Sequence, residues 1–222
     1  MTTSLEFSKK YDKKRALNYF TKHTQGLRAL TSWREISLAR KALKIAGNPQ
    51  TILDLPCGAG RFWKMLAEKP ERTLLAADNS QAMLDAACQL QPTAIAKRFQ
   101  CFQTSAFAID LADNAVDHIL CMRLMHHIEQ SADRLTILKE MHRVTRDSLT
   151  FSLWVDGNLQ SKRRLQRQAS IKSAKPYTNR LVIKRSDIEQ EIVQAGFEIV
   201  RYLDVLPGIS MWRFYVVKKT LK

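Results

Sequence analysis

No stretch of this 222-residue sequence has eighteen consecutive apolar residues, which excludes a membrane-spanning helix. The opening stretch from Met1 to Arg15 is lysine-rich and lacks the apolar core of a secretory signal, so a cytoplasmic protein is expected. Cysteine is scarce. Cys57, Cys88, Cys101 and Cys121 lie 31, 13 and 20 residues apart, which matches no zinc-ligand spacing. They are expected to be reduced, buried thiols, with no metal site and no disulfide framework. No internal repeat or low-complexity segment is found. Acidic residues are few, 21 against 36 Lys and Arg, and the net charge is +15.

That charge is unevenly placed. Residues 1–47 carry +8, residues 48–156 carry −2 and residues 157–222 carry +9. Within 157–186 there are nine basic residues and no acid. Such a segment is either a solvated face or a positive surface that attracts an anionic substrate, a lipid surface or nucleic acid.

Short apolar runs alternate with helical patterns. The opening stretch, about 8–46, reads as helix, with Ser32-Trp33-Arg34-Glu35 as a capping box and Gly47 as its end. Strands are expected near 51–55, 73–77, 98–103, 116–122, 149–155, 197–205 and 213–218. Helices are expected near 61–68, 81–91, 132–144 and 187–195. Strand–helix alternation of this kind argues for an α/β protein with a doubly wound, mostly parallel sheet of seven strands. Its ligand should lie beyond the carboxyl ends of the strands, at the switch point. The expected organisation is an N-terminal helical cap over 1–47 and one ligand-binding domain over 48–222, with a basic lid over 157–186.

The first strand ends in Asp54 and runs through Leu55-Pro56-Cys57 into Gly58-Ala59-Gly60 and then a helix. Glycine lets the backbone approach a ligand closely. A dinucleotide fingerprint would want a third glycine three residues on, and Trp63 stands there instead. Asp54 would repel a pyrophosphate but suits an ammonium group. The second strand ends in Asp78-Asn79-Ser80, eighteen residues after Gly60, where an acid can accept both hydroxyls of a ribose.

The Asp54, Gly58, Gly60 pattern resembles motif I of the class I S-adenosylmethionine-dependent methyltransferases, and three later elements extend the resemblance over 51–155. Asp78 and Asn79 match the ribose-binding strand end, and Met83 the apolar residue that packs on adenine. Thr104 to Ile109 is similar to the family's third motif, which brings in Ser105, Ala106 and Phe107. Ser105 stands where an aspartate often holds the adenine amino group. Ala115 to Cys121 is similar to the fourth strand, so Cys121 and Met122 join the implied cofactor set with Leu55, Pro56, Cys57 and Ala59. The family's L-K-P-G-G turn is replaced by Val144-Thr145-Arg146-Asp147-Ser148, and an altered loop is expected there. The resemblance implies a Rossmann-like methyltransferase fold and S-adenosyl-L-methionine (SAM) as cofactor.

His126 and His127 follow the fourth strand, and the stretch Met125 to Ile128 looks like the histidine-pair element of small-molecule O-methyltransferases. A hydroxyl acceptor needs a base within hydrogen-bond reach. His126 or His127, oriented by Asp156, fits that role, and pocket shaping is the alternative. The acceptor side is expected to draw on Tyr11, Tyr19, Arg123, Arg163, Arg164 and Arg167. The last three are spaced to share a helical face, and Arg offers a planar fork for phosphate or carboxylate. No motif for the exocyclic amino groups of bases follows the fourth strand, no Pro-Cys pair sits where a cytosine-C5 nucleophile would be, and aromatics are sparse among the basic residues. The expected activity is therefore methyl transfer to oxygen or nitrogen of a small or lipid-like, anionic acceptor, with peripheral contact to an anionic inner membrane face. The alternatives are an RNA methyltransferase, a SAM-binding protein without catalysis, and a NAD-dependent oxidoreductase, which Trp63 argues against.

Overall fold

The computed structural model describes residues 27–170 and 180–220. The chain runs α1 (Leu27–Ile45), β1 (Thr51–Asp54), α2 (Trp63–Leu66), β2 (Thr73–Asp78) and α3 (Gln81–Leu90). It continues through α4 (Thr93–Ala96), β3 (Phe99–Gln103), β4 (Val116–Cys121) and a 3-10 turn at Met125–His127. Then come α5 (Ser131–Val144), β5 (Thr145–Trp154), α6 (Leu159–Ser170), α7 (Arg185–Gln194), β6 (Phe197–Asp204) and β7 (Trp212–Lys219).

All seven expected strands are present, in one sheet of order β3-β2-β1-β4-β5-β7-β6. The first five are mutually parallel, while β7 runs antiparallel to both β5 and β6. The order reverses between β1 and β4, so the crevice at their carboxyl ends is the switch point.

Both faces of the sheet are covered, which is why the central strands read as near-continuous apolar runs. Successive residues of β1 take opposite faces. Ile52 packs with Leu38, Ala39, Ala42 and Leu43 of α1 and with Trp63. Leu53 packs with Ile137, Leu138 and Met141 of α5 and Ile188 and Ile192 of α7. A buried bidentate pair, Arg134 Nε and Nη2 on Glu191 at 2.9 and 2.6 Å, joins α5 to α7. After β5 the chain leaves the sheet and returns at Ile183, which forms a parallel bridge with Val155.

Three expectations are corrected. Ser32 and Glu35 do not cap a helix, because α1 already begins at Leu27 and both lie inside it. Residues 144–148 are not a loop. At Thr145 the chain passes directly from α5 into β5, with the buried Thr145 hydroxyl 2.9 Å from the carbonyl oxygens of Asp117 and Ser148. Of the cysteines only Cys57 and Cys121 are buried. Cys88, on α3, and Cys101, on the edge strand β3, are exposed.

Candidate cofactor cleft and arginine groove

The cleft opens where the carboxyl ends of β1, β2 and β4 meet. Its walls include Pro56 to Ala59, Asp78 to Ser80, Met83, Ser105, Arg123, His126 and Trp212. The glycine turn is held in a specific shape. Gly58 and Gly60 have φ of +54° and +71°, which L side chains rarely adopt. The Gly58 N–H donates to Asp78 Oδ2 and the Ser80 N–H to Oδ1, both at 3.0 Å. These bonds fix the Asp78 carboxylate at the rim of the cleft. Burial nonetheless raises its pKa above the ordinary value, with the backbone donors pulling the other way.

Trp63 explains the missing third glycine. Its ring is buried beneath the turn and stacks on Phe99 at 4.3 Å. A Cβ at Gly60 would approach this ring to 2.9 Å, so Gly60 is required by packing from below as well as by its φ. The Gln91 amide donates to the Ala59 carbonyl at 3.1 Å and closes the same support.

Asp54 lies behind the turn, fully buried, and neither carboxylate oxygen has a hydrogen-bond partner among the described residues. Burial raises its pKa well above the usual carboxylate range, and the nearby Asp78 adds to the rise. The Trp63 indole N–H faces it outside hydrogen-bond geometry and offsets little of this. A buried carboxylate in this state fits a cationic neighbour such as an α-ammonium, either directly or through water. With the positive-φ glycines and the Asp78 rim, the residues present therefore suit SAM. Asp54 would hold the ammonium end and Asp78 the ribose.

Leu55, Pro56, Cys57, Gly58, Ala59, Asp78, Asn79, Met83, Ser105, Ala106 and Met122 all line the cleft. Asp54, Gly60, Phe107 and Cys121 do not. Phe107 packs against the core, and Cys121 is a wholly buried strand residue. Tyr11 and Tyr19 lie outside the described residues.

The histidines part company with their expected orienting partner. His126 is buried on the cleft wall, stacked on Trp154 at 5.0 Å and edge-on to Trp212 at 4.9 Å. Its Nδ1 has no hydrogen-bond partner among the described residues. Burial holds its pKa well below the usual value, and His127, Arg180, Arg123 and Arg164 reinforce this. Asp156 turns the other way. It accepts the Arg185 N–H at 3.0 Å and pairs with that guanidinium, anchoring the start of α7 instead of a histidine.

Sequence reasoning missed Glu35 as a site residue. Its side chain, 1% exposed, accepts Arg123 Nε and Nη2 at 3.1 and 2.6 Å and pairs with Arg61 Nη1 at 3.0 Å. Ser32 Oγ accepts Arg61 Nε at 3.1 Å. Arg61 and Arg123 both line the cleft, so α1 is fastened to its two sides. The available signal was that Glu35 is one of three acids among 47 residues in a basic segment.

Trp212 also lines a second hollow, with Thr31, Gln160, Arg163, Arg164, Arg167, Leu206 and Met211. Arg164 lies 4.8 Å over the Trp154 ring and donates to the Arg180 carbonyl. Arg180, on the cleft wall, lies 5.8 Å over the same ring. Other described arginines, at 40, 61, 123, 134, 143, 146, 185 and 213, pair with carboxylates. Arg163, Arg164, Arg167 and Arg180 have no acidic partner among the described residues, nor have Arg34, Arg72, Arg98 and Arg201, but only the first four gather at this hollow and the adjoining cleft wall.

Residues 52–148 match the family model described as methyltransferase domain. No curated protein matches by sequence. Many solved structures share the fold. The SAH-bound magnesium protoporphyrin IX methyltransferase of Synechocystis PCC 6803 superposes with TM-score 0.73 at 14% identity, covering 93% of this chain and 95% of that one. A SAM-dependent methyltransferase of Aquifex aeolicus gives 0.65 at 20% identity, with 95% and 100% covered. A possible histamine N-methyltransferase of Thermotoga maritima gives 0.60 at 16% identity, with 93% and 97% covered. Residues 52–148 thus form a methyltransferase domain, and the chain as a whole has the fold of the SAM-dependent methyltransferases it superposes on.

Proposed function

We propose that the protein methylates an oxygen or nitrogen of a small or lipid-like molecule that carries an anionic group, drawn from the side of an anionic membrane. The observation that carries this reading is the unmatched positive charge beside the cleft. Among the described residues Arg163, Arg164, Arg167 and Arg180 lack carboxylates, and two buried donors beside them, Trp154 Nε1 and Arg164 Nε, have no hydrogen-bond partner there. Burial and the neighbouring Arg180 both lower the Arg164 pKa, which expresses the same unmet demand for an anion. Buried donors without partners cost about 1–3 kcal/mol each, and an acceptor-rich ligand group would recover that.

SAM, when bound, supplies the activated methyl on its sulfonium. The protein's part is alignment and proton handling. His126 is held neutral, so its imidazole is free to take the proton released as the acceptor is methylated. A weak base is enough there, because a methylated hydroxyl is far more acidic than an imidazolium. The arginines set the acceptor's orientation by gripping its anionic end across Trp212.

The test is turnover of SAM by the full chain against amphiphilic carboxylates and phosphates and their neutral amide or ester counterparts. Arg164→Gln with Arg180→Gln should raise KM for the anionic compounds about 10- to 100-fold and leave SAH affinity unchanged. Equal turnover of neutral and anionic compounds, or an unaltered KM, would overturn the reading.

A further inference from the structure

In the turn between β6 and β7 the tip Leu206-Pro207-Gly208-Ile209 carries no charged or hydrogen-bonding side chain, and the Ser210 that follows is buried, its hydroxyl accepting the Trp212 N–H at 3.2 Å. Turns exposed to water are ordinarily polar. Here Leu206 and Ile209 are 51% and 50% exposed. The start of α6 is docked against this turn. The Leu159 and Gln160 N–H groups donate to the Gly208 and Ile209 carbonyls, both at 3.0 Å, and Leu159 adds a side chain 43% exposed. One and two turns further along α6 stand Arg163 and Arg167, which share a hollow with Leu206. An apolar tip and an unpaired basic helix face thus border the same hollow, with Trp212 connecting it to the cofactor cleft.

We infer that the β6–β7 turn and the basic face of α6 form a docking surface for an anionic lipid bilayer. The two parts answer two different layers of that partner. Leu206, Ile209 and Leu159 suit the acyl boundary, where about 0.8 kcal/mol is gained per buried methylene. Arg163 and Arg167 suit the phosphate layer, where each basic residue contributes about 1 kcal/mol. Neither contribution alone holds a protein of this size on a membrane, and together they do. A protein partner would be expected to offer carboxylates and an apolar socket of fixed shape. The tip, a hydrogen-bonded turn closed by the Ile209 and Ser210 N–H groups on the Leu206 carbonyl, needs only a fluid one, and the run 157–186 adds no acid of its own.

Docked this way, the hollow lined by Arg163, Arg164 and Arg167 opens toward the lipid. The surface extends the proposed reading of an anionic acceptor but is measured separately from it. Vesicle binding and acceptor turnover can each fail alone.

The experiment is co-sedimentation of the full chain with large vesicles of phosphatidylcholine, with and without 30% phosphatidylglycerol, at about 0.15 M salt. The wild type should bind the anionic vesicles at least tenfold more tightly than the neutral ones. Leu206→Asp with Ile209→Asp should abolish binding to both, and Arg163→Gln with Arg167→Gln should reduce binding only to the anionic ones. SAH affinity and melting temperature, measured on the same samples, report that each variant is folded. The inference is overturned if folded aspartate variants bind like the wild type or if lipid charge has no effect. It is also overturned if the chain ignores vesicles and binds single-stranded RNA with a steep salt dependence, or if the aspartate pair only converts a dimer to a monomer.

Discussion

The Glu35 carboxylate grips the Arg123 guanidinium at 2.6 and 3.1 Å although 88 positions separate them in the chain. Arg123 has a φ of +61°, an uncommon value for a side chain of its size, and its N–H donates to Ser152 Oγ at 3.0 Å. Its guanidinium also lies 4.9 Å over the Trp212 ring. One carboxylate thus fixes the start of the loop after β4, and through Trp212 the boundary between cleft and groove.

Removing that carboxylate leaves two guanidinium groups buried without it. Breaking a buried pair in this way costs about 3–5 kcal/mol. Glu35→Gln should lower the urea midpoint accordingly and weaken SAH binding in the fraction that stays folded. A variant with wild-type stability and wild-type SAH affinity would show that α1 does not support the cleft.

Asp54 gives the opposite expectation. Its folded pKa lies above the unfolded value near 3.8, so the folded chain holds this proton more tightly than the unfolded chain does. Its stabilising contribution is present below pH 3.8 and is lost as pH rises through the folded pKa. At neutral pH the charged form is a net cost to the cofactor-free protein. Asp54→Asn should therefore raise the melting temperature of cofactor-free protein at pH 8 more than at pH 4, while weakening SAM binding. A lower melting temperature at pH 8 would contradict the orphaned state of this carboxylate.

Asp78 is tied to the glycine turn and faces the cleft. Asp78→Ala should cost about 1–3 kcal/mol in SAM and SAH affinity, through the loss of charge-assisted hydrogen bonds. NAD should bind neither form, because Trp63 fills the space under the turn where a third glycine would sit. Calorimetry decides both points. Detectable NAD binding by the wild type would show that the turn accepts a pyrophosphate.

His126 stays neutral well below the usual histidine range. If it takes the acceptor's proton, turnover should not show the histidine-like fall near pH 6.5, because the proton-accepting form persists to lower pH. His126→Ala should lower kcat by about 10²–10⁴ at constant SAH affinity, in line with the loss of a general base. Full turnover by this variant on the true acceptor would move the role to His127 or to no base at all.

The sheet was legible because its strands bury both faces and announce themselves as apolar runs, as Leu149 to Val155 does. Boundaries were less so. Thr145 was read as part of a turn, yet its hydroxyl replaces the missing loop by bonding across to β4, a tertiary effect that local pattern does not contain. The glycine turn and Asp78 were visible as motif. The depth of Asp54, Phe107 and Cys121 was not, because a motif marks position along the strand and not the distance of each side chain from the ligand. Ser32 and Glu35 show the main limit. Their spacing satisfies a helix cap and an interior docking face equally well, and only Arg61 and Arg123, remote in sequence, decide between them. Asp156 failed as a histidine partner for a related reason, since the Arg185 N–H at the start of α7 competes for it successfully.

The parallel bridge between Val155 and Ile183 has a consequence for how such a protein can change. Since the chain rejoins the sheet there, the intervening excursion hangs from two ends that are already stitched together beside the cleft. Lengthening such a stretch costs little, about 0.6 kcal/mol for each doubling, and none of its described residues belongs to a strand of the sheet. The segment between Val155 and Ile183 can therefore vary without altering the strand order. Grafts between relatives with their junctions placed at Val155 and Ile183 should carry substrate preference with them and leave the methyl donor's binding behind.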